Sequence, residues 1–95
     1  MKTRSILDSE ALPRLAPHVR FRFDETRTQW VVLSPERLLI PDAIAVEVLK
    51  LCDGKTSIAA IITALAERYQ APHETIEADV LELLQDLTDQ GILTL

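Results

Sequence analysis

The residues able to do chemistry are few and widely spaced. His18 and His73 lie far apart in the chain, and no His, Cys or Asp stands at metal-ligand spacing from either. Cys52 is the only cysteine, which excludes an internal disulfide, and no His adjoins it in sequence to lower its pKa toward a nucleophilic thiolate. Its place at the end of a helical apolar pattern suits a packed thiol. Glu74, Glu77, Asp79, Glu82, Asp86 and Asp89 invite a paired-carboxylate reading, but on a helix they share the polar side, where a solvated face is the usual role. Gly54 and Gly91 are the only glycines, too few for a phosphate-cradling loop. These residues predict no enzyme and no catalytic site, and neither a metal nor an organic cofactor is expected.

Charge narrows the partners. The 95 residues carry 10 Lys plus Arg against 15 Asp plus Glu. Residues 1–41 hold seven bases and five acids, whereas residues 42–95 hold three bases and ten acids. No Lys or Arg follows Arg68, so the acidic third helix would be repelled by a phosphate backbone. Arg20 and Arg22 alone are too small a patch to reverse that, and no nucleic-acid partner is expected. The opening MKTRSILDSEAL lacks a continuous apolar core of signal-peptide length, and IAAIITALA is far short of the roughly 20 residues that span a bilayer. With a single thiol, these features predict a cytoplasmic protein with no membrane association. Apolar residues make up 47% of the chain, enough surface for another chain to cover, so a monomer or a dimer is compatible with the composition.

The elements that must position any site change character near Pro41. Residues 1–17, with Pro13 and Pro17 bracketing RLA, read as a tail that orders only against something else, and residues 18–95 as one domain. VRFRF (19–23) alternates strictly, with Arg20 and Arg22 opposite Val19, Phe21 and Phe23; QWVVL (29–33) is apolar on both faces; RLLI (37–40) is a short third strand stopped by Pro41. After this three-stranded antiparallel meander the pattern is helical. Asp42 caps a helix over about 43–52 with Ile44, Val48 and Leu51 inward. Gly54 supplies a left-handed turn and Thr56 or Ser57 a cap for the next helix, over about 57–69, with Ile58, Ile62, Leu65 and Tyr69 inward. The third spans about 74–90, with Ile76, Val80, Leu83, Leu84 and Leu87 in one stripe and Gly91 ending it. ILTL closes as a packed extension or a frayed end. The fold class is α+β, a meander followed by a three-helix bundle, winged-helix-like.

With catalysis and nucleic acid set aside, a binding module remains. An unpaired edge of the meander can accept an extended peptide through its backbone, and the third helix offers a wall. On a helical wheel centred on Ile76, Leu84 lies near 80° and Leu81 near 140°, extending the stripe past one packing face.

The ordered set PRLAPHVRFRFD, LSPER, LCDG and ADVLELLQDLTDQGIL, over residues 13–94, closely resembles the D-protein family of pyrroloquinoline quinone (PQQ) biosynthesis. The resemblance implies a small peptide-recognition domain of the kind used in modifying ribosomally made peptides. It implies a peptide chaperone that binds the precursor peptide, the A component, and presents it to a radical S-adenosylmethionine enzyme, the E component, which cross-links a Glu and a Tyr within it. The peptide is then expected to pair with the third strand, Arg37, Leu38, Leu39 and Ile40, and to lie against the Glu77, Leu81, Leu84 and Gln85 side of the third helix. Pro41 shortens that strand and limits the peptide it can hold. The competing reading is a winged-helix-like interaction or regulatory module that presents no peptide.

Overall fold

The computed structural model describes residues 9–95. Its elements are β1 (Arg14–Leu15), β2 (Arg20–Asp24), β3 (Gln29–Leu33), β4 (Leu38–Leu39), α1 (Ala43–Lys50), α2 (Ile58–Tyr69), α3 (His73–Asp89) and β5 (Leu93–Thr94). The meander is present as β2-β3-β4, antiparallel throughout, so the α+β class stands. β3 is central, and Val31 and Val32 are both buried, as its two-faced apolar character requires.

The β2–β3 turn is held by Asp24, whose Oδ1 accepts from the N–H groups of Thr26 (3.0 Å) and Arg27 (3.3 Å). One face of the sheet carries Phe21, Phe23, Trp30, Val32 and Leu39, because Phe21 stands opposite Val32, Phe23 opposite Trp30, and Val32 opposite Leu39. Phe21 stacks on Trp30 with ring centroids 4.7 Å apart, Phe23 meets Trp30 edge-on, and the Lys50 ammonium lies 5.2 Å from the Trp30 ring.

The helices pack under that face. α1 starts at Asp42, whose carboxylate accepts from Ala45 N–H (2.9 Å), and α2 at Ser57, whose hydroxyl accepts from Ala60 N–H (3.1 Å). Gly54 between them has φ 77°, the left-handed conformation that favours glycine. Beside it the Asp53 carboxylate accepts from Lys55 N–H (2.8 Å) and Thr56 Oγ1 (3.2 Å), and these bonds hold it below its ordinary pKa. The core joins Val48, Leu49 and Cys52 of the α1 region, Ile58, Ile61, Ile62 and Leu65 of α2, and Ile76, Val80, Leu84 and Leu87 of α3.

Two inward assignments from the sequence are corrected. Ile44 is 42% and Tyr69 40% exposed, because the α1 stripe runs through Ala45, Val48, Leu49 and Cys52, and α2 adds Ile61 to Ile58, Ile62 and Leu65 before ending at Gln70, φ 50°. ILTL resolves as the packed alternative: Ile92 and Leu93 are buried, and β5 pairs with β1, Arg14 opposite Thr94 and Leu15 opposite Leu93.

Residues 9–17 differ from the expected tail. The carbonyls of Ser9 and Ala11 accept from the N–H groups of Ala59 (2.9 Å) and Ile58 (3.0 Å), the orphan donors of the first turn of α2. Pro13 accepts from Gly54 N–H (3.0 Å) and is buried, and Ala16 N–H donates to Ile92 (2.9 Å). This segment supplies hydrogen bonds that α2 and the C-terminal strand otherwise lack, a reason invisible to local sequence pattern. The remainder of the expected tail, residues 1–8, lies outside the described residues.

Candidate peptide-binding groove

Two backbone observations define β4. Ser34 N–H donates to the Arg37 carbonyl (3.0 Å) across the turn, and Leu38 and Leu39 face Leu33 and Val32 in the ladder. In an antiparallel ladder hydrogen-bonded and non-bonded pairs alternate, so the N–H and C=O of Leu39 turn toward β3 while those of Leu38 and Ile40 turn away. β4 has no second partner strand among the described residues, so these groups form a free edge. Pro41, which lacks an N–H, ends it.

The side chains alternate as well. Leu39 is half-buried and packs against the core, whereas Leu38 is 44% and Ile40 55% exposed. Beside Leu39 an apolar groove of about 250 Å³ runs between β4, the start of α1 and the C-terminal half of α3. Val32 and Leu49 lie at its base, Ile40, Pro41 and Asp42 form one rim, and Leu83, Leu87 and Gln90 form the α3 wall. Arg37 stands at the turn end, its Nη1 donating to Gln90 Oε1 (3.0 Å).

Of the expected strand residues, Leu39 and Ile40 line this groove, Arg37 lines a neighbouring concavity and Leu38 lines neither; of the expected helix residues none lines the groove. Leu84 has no exposed surface and belongs to the core. Leu81 is half-buried against that core, and neither it nor Glu77 or Gln85 lines the groove. Gln85 instead donates to Asp89 Oδ1 (3.0 Å) along the helix. The buried residues of α3, Ile76, Val80, Leu84 and Leu87, centre at about 35° on the helical wheel with Ile76 at zero, with Leu83 and Gln90 on the border that lines the groove and Leu81 on the other. At about 100° per residue Leu81 is roughly 160° from Leu83. The wheel showed a stripe with two borders; only the position of the sheet identifies which one faces β4.

Other reactive groups stand apart. Cys52 Sγ donates to the Val48 carbonyl (3.3 Å), and burial, with a smaller contribution from the Asp53 charge, pushes its thiol up to about 12. It is a packed thiol facing no concavity described above. His18 and His73 are exposed, and among the described residues no group of three His, Cys, Asp or Glu converges in metal-binding geometry. No helix among those residues is long and apolar enough to cross a membrane.

Comparison with known proteins bears on this geometry. Residues 29–93 match the family described as Coenzyme PQQ synthesis protein D (PqqD). A Rhodopseudomonas palustris (strain HaA2) protein named PqqA binding protein is 56% identical over 95 residues, covering 99% of this chain and 93% of the relative. The solution NMR structure of the PqqD truncation of Methylobacterium extorquens PqqCD superposes with a TM-score of 0.77 at 40% identity, covering 94% of this chain and 95% of the other. That protein is described as a functional and stand-alone recognition element for ribosomally synthesized and post-translationally modified peptides. The crystal structure of PqqD from Xanthomonas campestris gives a TM-score of 0.60 at 38% identity, covering 94% and 99%. The family assignment thus extends over the meander, all three helices and β5, and the chain belongs to the PqqD family.

Proposed function

We propose that this protein binds the peptide PqqA as an added strand on β4 and serves as its chaperone in PQQ biosynthesis. The observation that carries the reading is the free edge formed by the backbone of Leu38 and Ile40 beside an apolar groove walled by Leu83 and Leu87. An extended peptide gains main-chain hydrogen bonds there, and every second side chain points into the groove. The name and description of the relatives above support the choice of peptide.

The partner to which the peptide passes is, on the family resemblance, the radical S-adenosylmethionine enzyme of the same pathway. The chaperone itself performs no reaction in this reading. Leu38, on the face of the sheet opposite the groove, remains uncovered at 44% exposure and is available to such a partner. The test is titration of labelled synthetic PqqA into the purified protein, followed by hydrogen exchange. Saturable binding with slowed exchange at Leu38 and Ile40 supports the reading; absence of saturable binding overturns it.

A further inference from the structure

Arg37 and Leu39 are two residues apart on an extended segment, so their side chains leave the same face, roughly 7 Å apart. Both meet the C-terminal end of α3. Leu39 borders the apolar groove, and Arg37 reaches across to Gln90. Beyond that bond lies a second concavity of about 240 Å³, bounded by Pro17, Val19, Pro35 and Gly91. Gln90 lines both, so the Arg37–Gln90 bond forms a crosspiece between them.

The crosspiece leaves Arg37 with a weak partner. A guanidinium on an amide oxygen makes a single bond to a neutral acceptor, whereas a carboxylate offers a charge-assisted and often bidentate pair. Among the described residues no carboxylate forms an ion pair with Arg37, although Glu36 lines the same concavity. The backbone bonds of Arg37 and Leu39 turn inward to β3, so on the free edge both occupy non-hydrogen-bonded positions. Side chains of an antiparallel partner approach most closely there.

We propose that Arg37 is a specificity-determining residue that selects an acidic side chain in the bound peptide. The peptide carboxylate displaces Gln90 from the guanidinium, while an apolar side chain two residues away enters the groove against Leu39, Leu83 and Leu87. The recognised segment, antiparallel to β4, therefore reads apolar-x-acid from its N- to its C-terminal side, the apolar side chain opposite Leu39 and the acid opposite Arg37. This rests on the β4 groove of the proposed function and adds to it the chemistry of the occupant.

The experiment measures binding of synthetic PqqA, and of single Glu→Gln and Asp→Gln versions of it, to the wild type and to Arg37→Glu and Gln90→Ala variants. Circular dichroism confirms that each variant is folded. One acid-to-amide change, at a position two residues from an apolar side chain, is expected to weaken wild-type binding about tenfold or more, and raised salt to weaken it further. Arg37→Glu is expected to lose a similar factor, recovered in part when that peptide acid is replaced by Lys. Gln90→Ala, which alters the groove wall but frees Arg37, is expected to raise the ratio of PqqA to amide-peptide affinity above the wild-type ratio, since Gln90 competes for Arg37. Were the crosspiece merely structural, Gln90→Ala would leave that ratio at or below the wild-type value, and that result overturns the proposal. Equal binding of all the amide peptides also overturns it and leaves the groove standing. Failure of wild-type protein to bind PqqA at all removes the proposed function itself, a distinguishable outcome.

Discussion

Leu39 stands directly opposite Val32 across the β3–β4 ladder, on the face that packs against the helices. That pairing turns the Leu39 amide inward and leaves the amides of Leu38 and Ile40 as the donors of the free edge. Proline substitutions separate the two directions. Leu39→Pro breaks the ladder to β3 and is expected to lower thermal stability markedly. Ile40→Pro removes an outward donor from an edge, where proline is tolerated, and is expected to weaken PqqA binding about tenfold with little change in melting temperature. Calorimetric titration and thermal denaturation of both variants check this.

Leu83 and Leu81 differ in the same way. Leu83→Ala removes part of the groove wall and is expected to weaken PqqA binding by about 1 kcal/mol or more, roughly fivefold. Leu81→Ala, remote from the groove, is expected to leave affinity within about twofold. A larger loss from Leu81→Ala would move the binding surface to the opposite border of α3.

Leu84→Ala tests the core assignment. Leu84 has no exposed surface and packs among the other buried residues of the core, so truncation is expected to cost about 2 to 5 kcal/mol in chemical denaturation. Any loss of peptide binding should then follow the folded fraction.

The segment from Ser9 to Ala16 is expected to be needed for stability. A protein starting at Pro17 would lose the carbonyls that cap Ile58 and Ala59, the buried Pro13 and the β1–β5 pairing. Its melting temperature is expected to fall by about 10 °C or more, since each kcal/mol shifts a domain of this size by roughly 4 to 8 °C.

Cys52 gives a pH dependence with a fixed sign. Its thiol is pushed up to about 12 in the fold, chiefly by burial, whereas an unfolded thiol ionises near 8.5. Below roughly pH 8.5 both states hold the proton and the contribution is flat. Above it the unfolded chain releases a proton that the fold keeps, so stability falls by up to about 1.4 kcal/mol per pH unit. Comparing urea denaturation of wild type and Cys52→Ala between about pH 8 and pH 10.5 isolates this slope, which should be absent from the variant. Ellman's reagent should label native Cys52 slowly and the unfolded chain fast.

Patterns confined to one stretch of chain sufficed to determine the meander, the three helices and the position of the free edge. Alternation in RFRF, a proline after RLLI, the cap Asp42, a second cap at Thr56 or Ser57 and the left-handed Gly54 act over a few residues, so their physics is written locally, and the structure selects Ser57. The ordered motifs likewise carried the family. Tertiary structure decided what depends on distant partners. The wide apolar stripe of α3 has two borders of similar chemistry, Leu81 on one and Leu83 on the other, and only the packing of the sheet turned Leu83 toward β4. Residues 9–16 carry no strong strand or helix period, because what orders them is the unsatisfied N–H groups of Ile58 and Ala59 and the edge of β5, more than forty residues away. Arg37 and Gln90 are 53 positions apart, and only the fold makes them a pair.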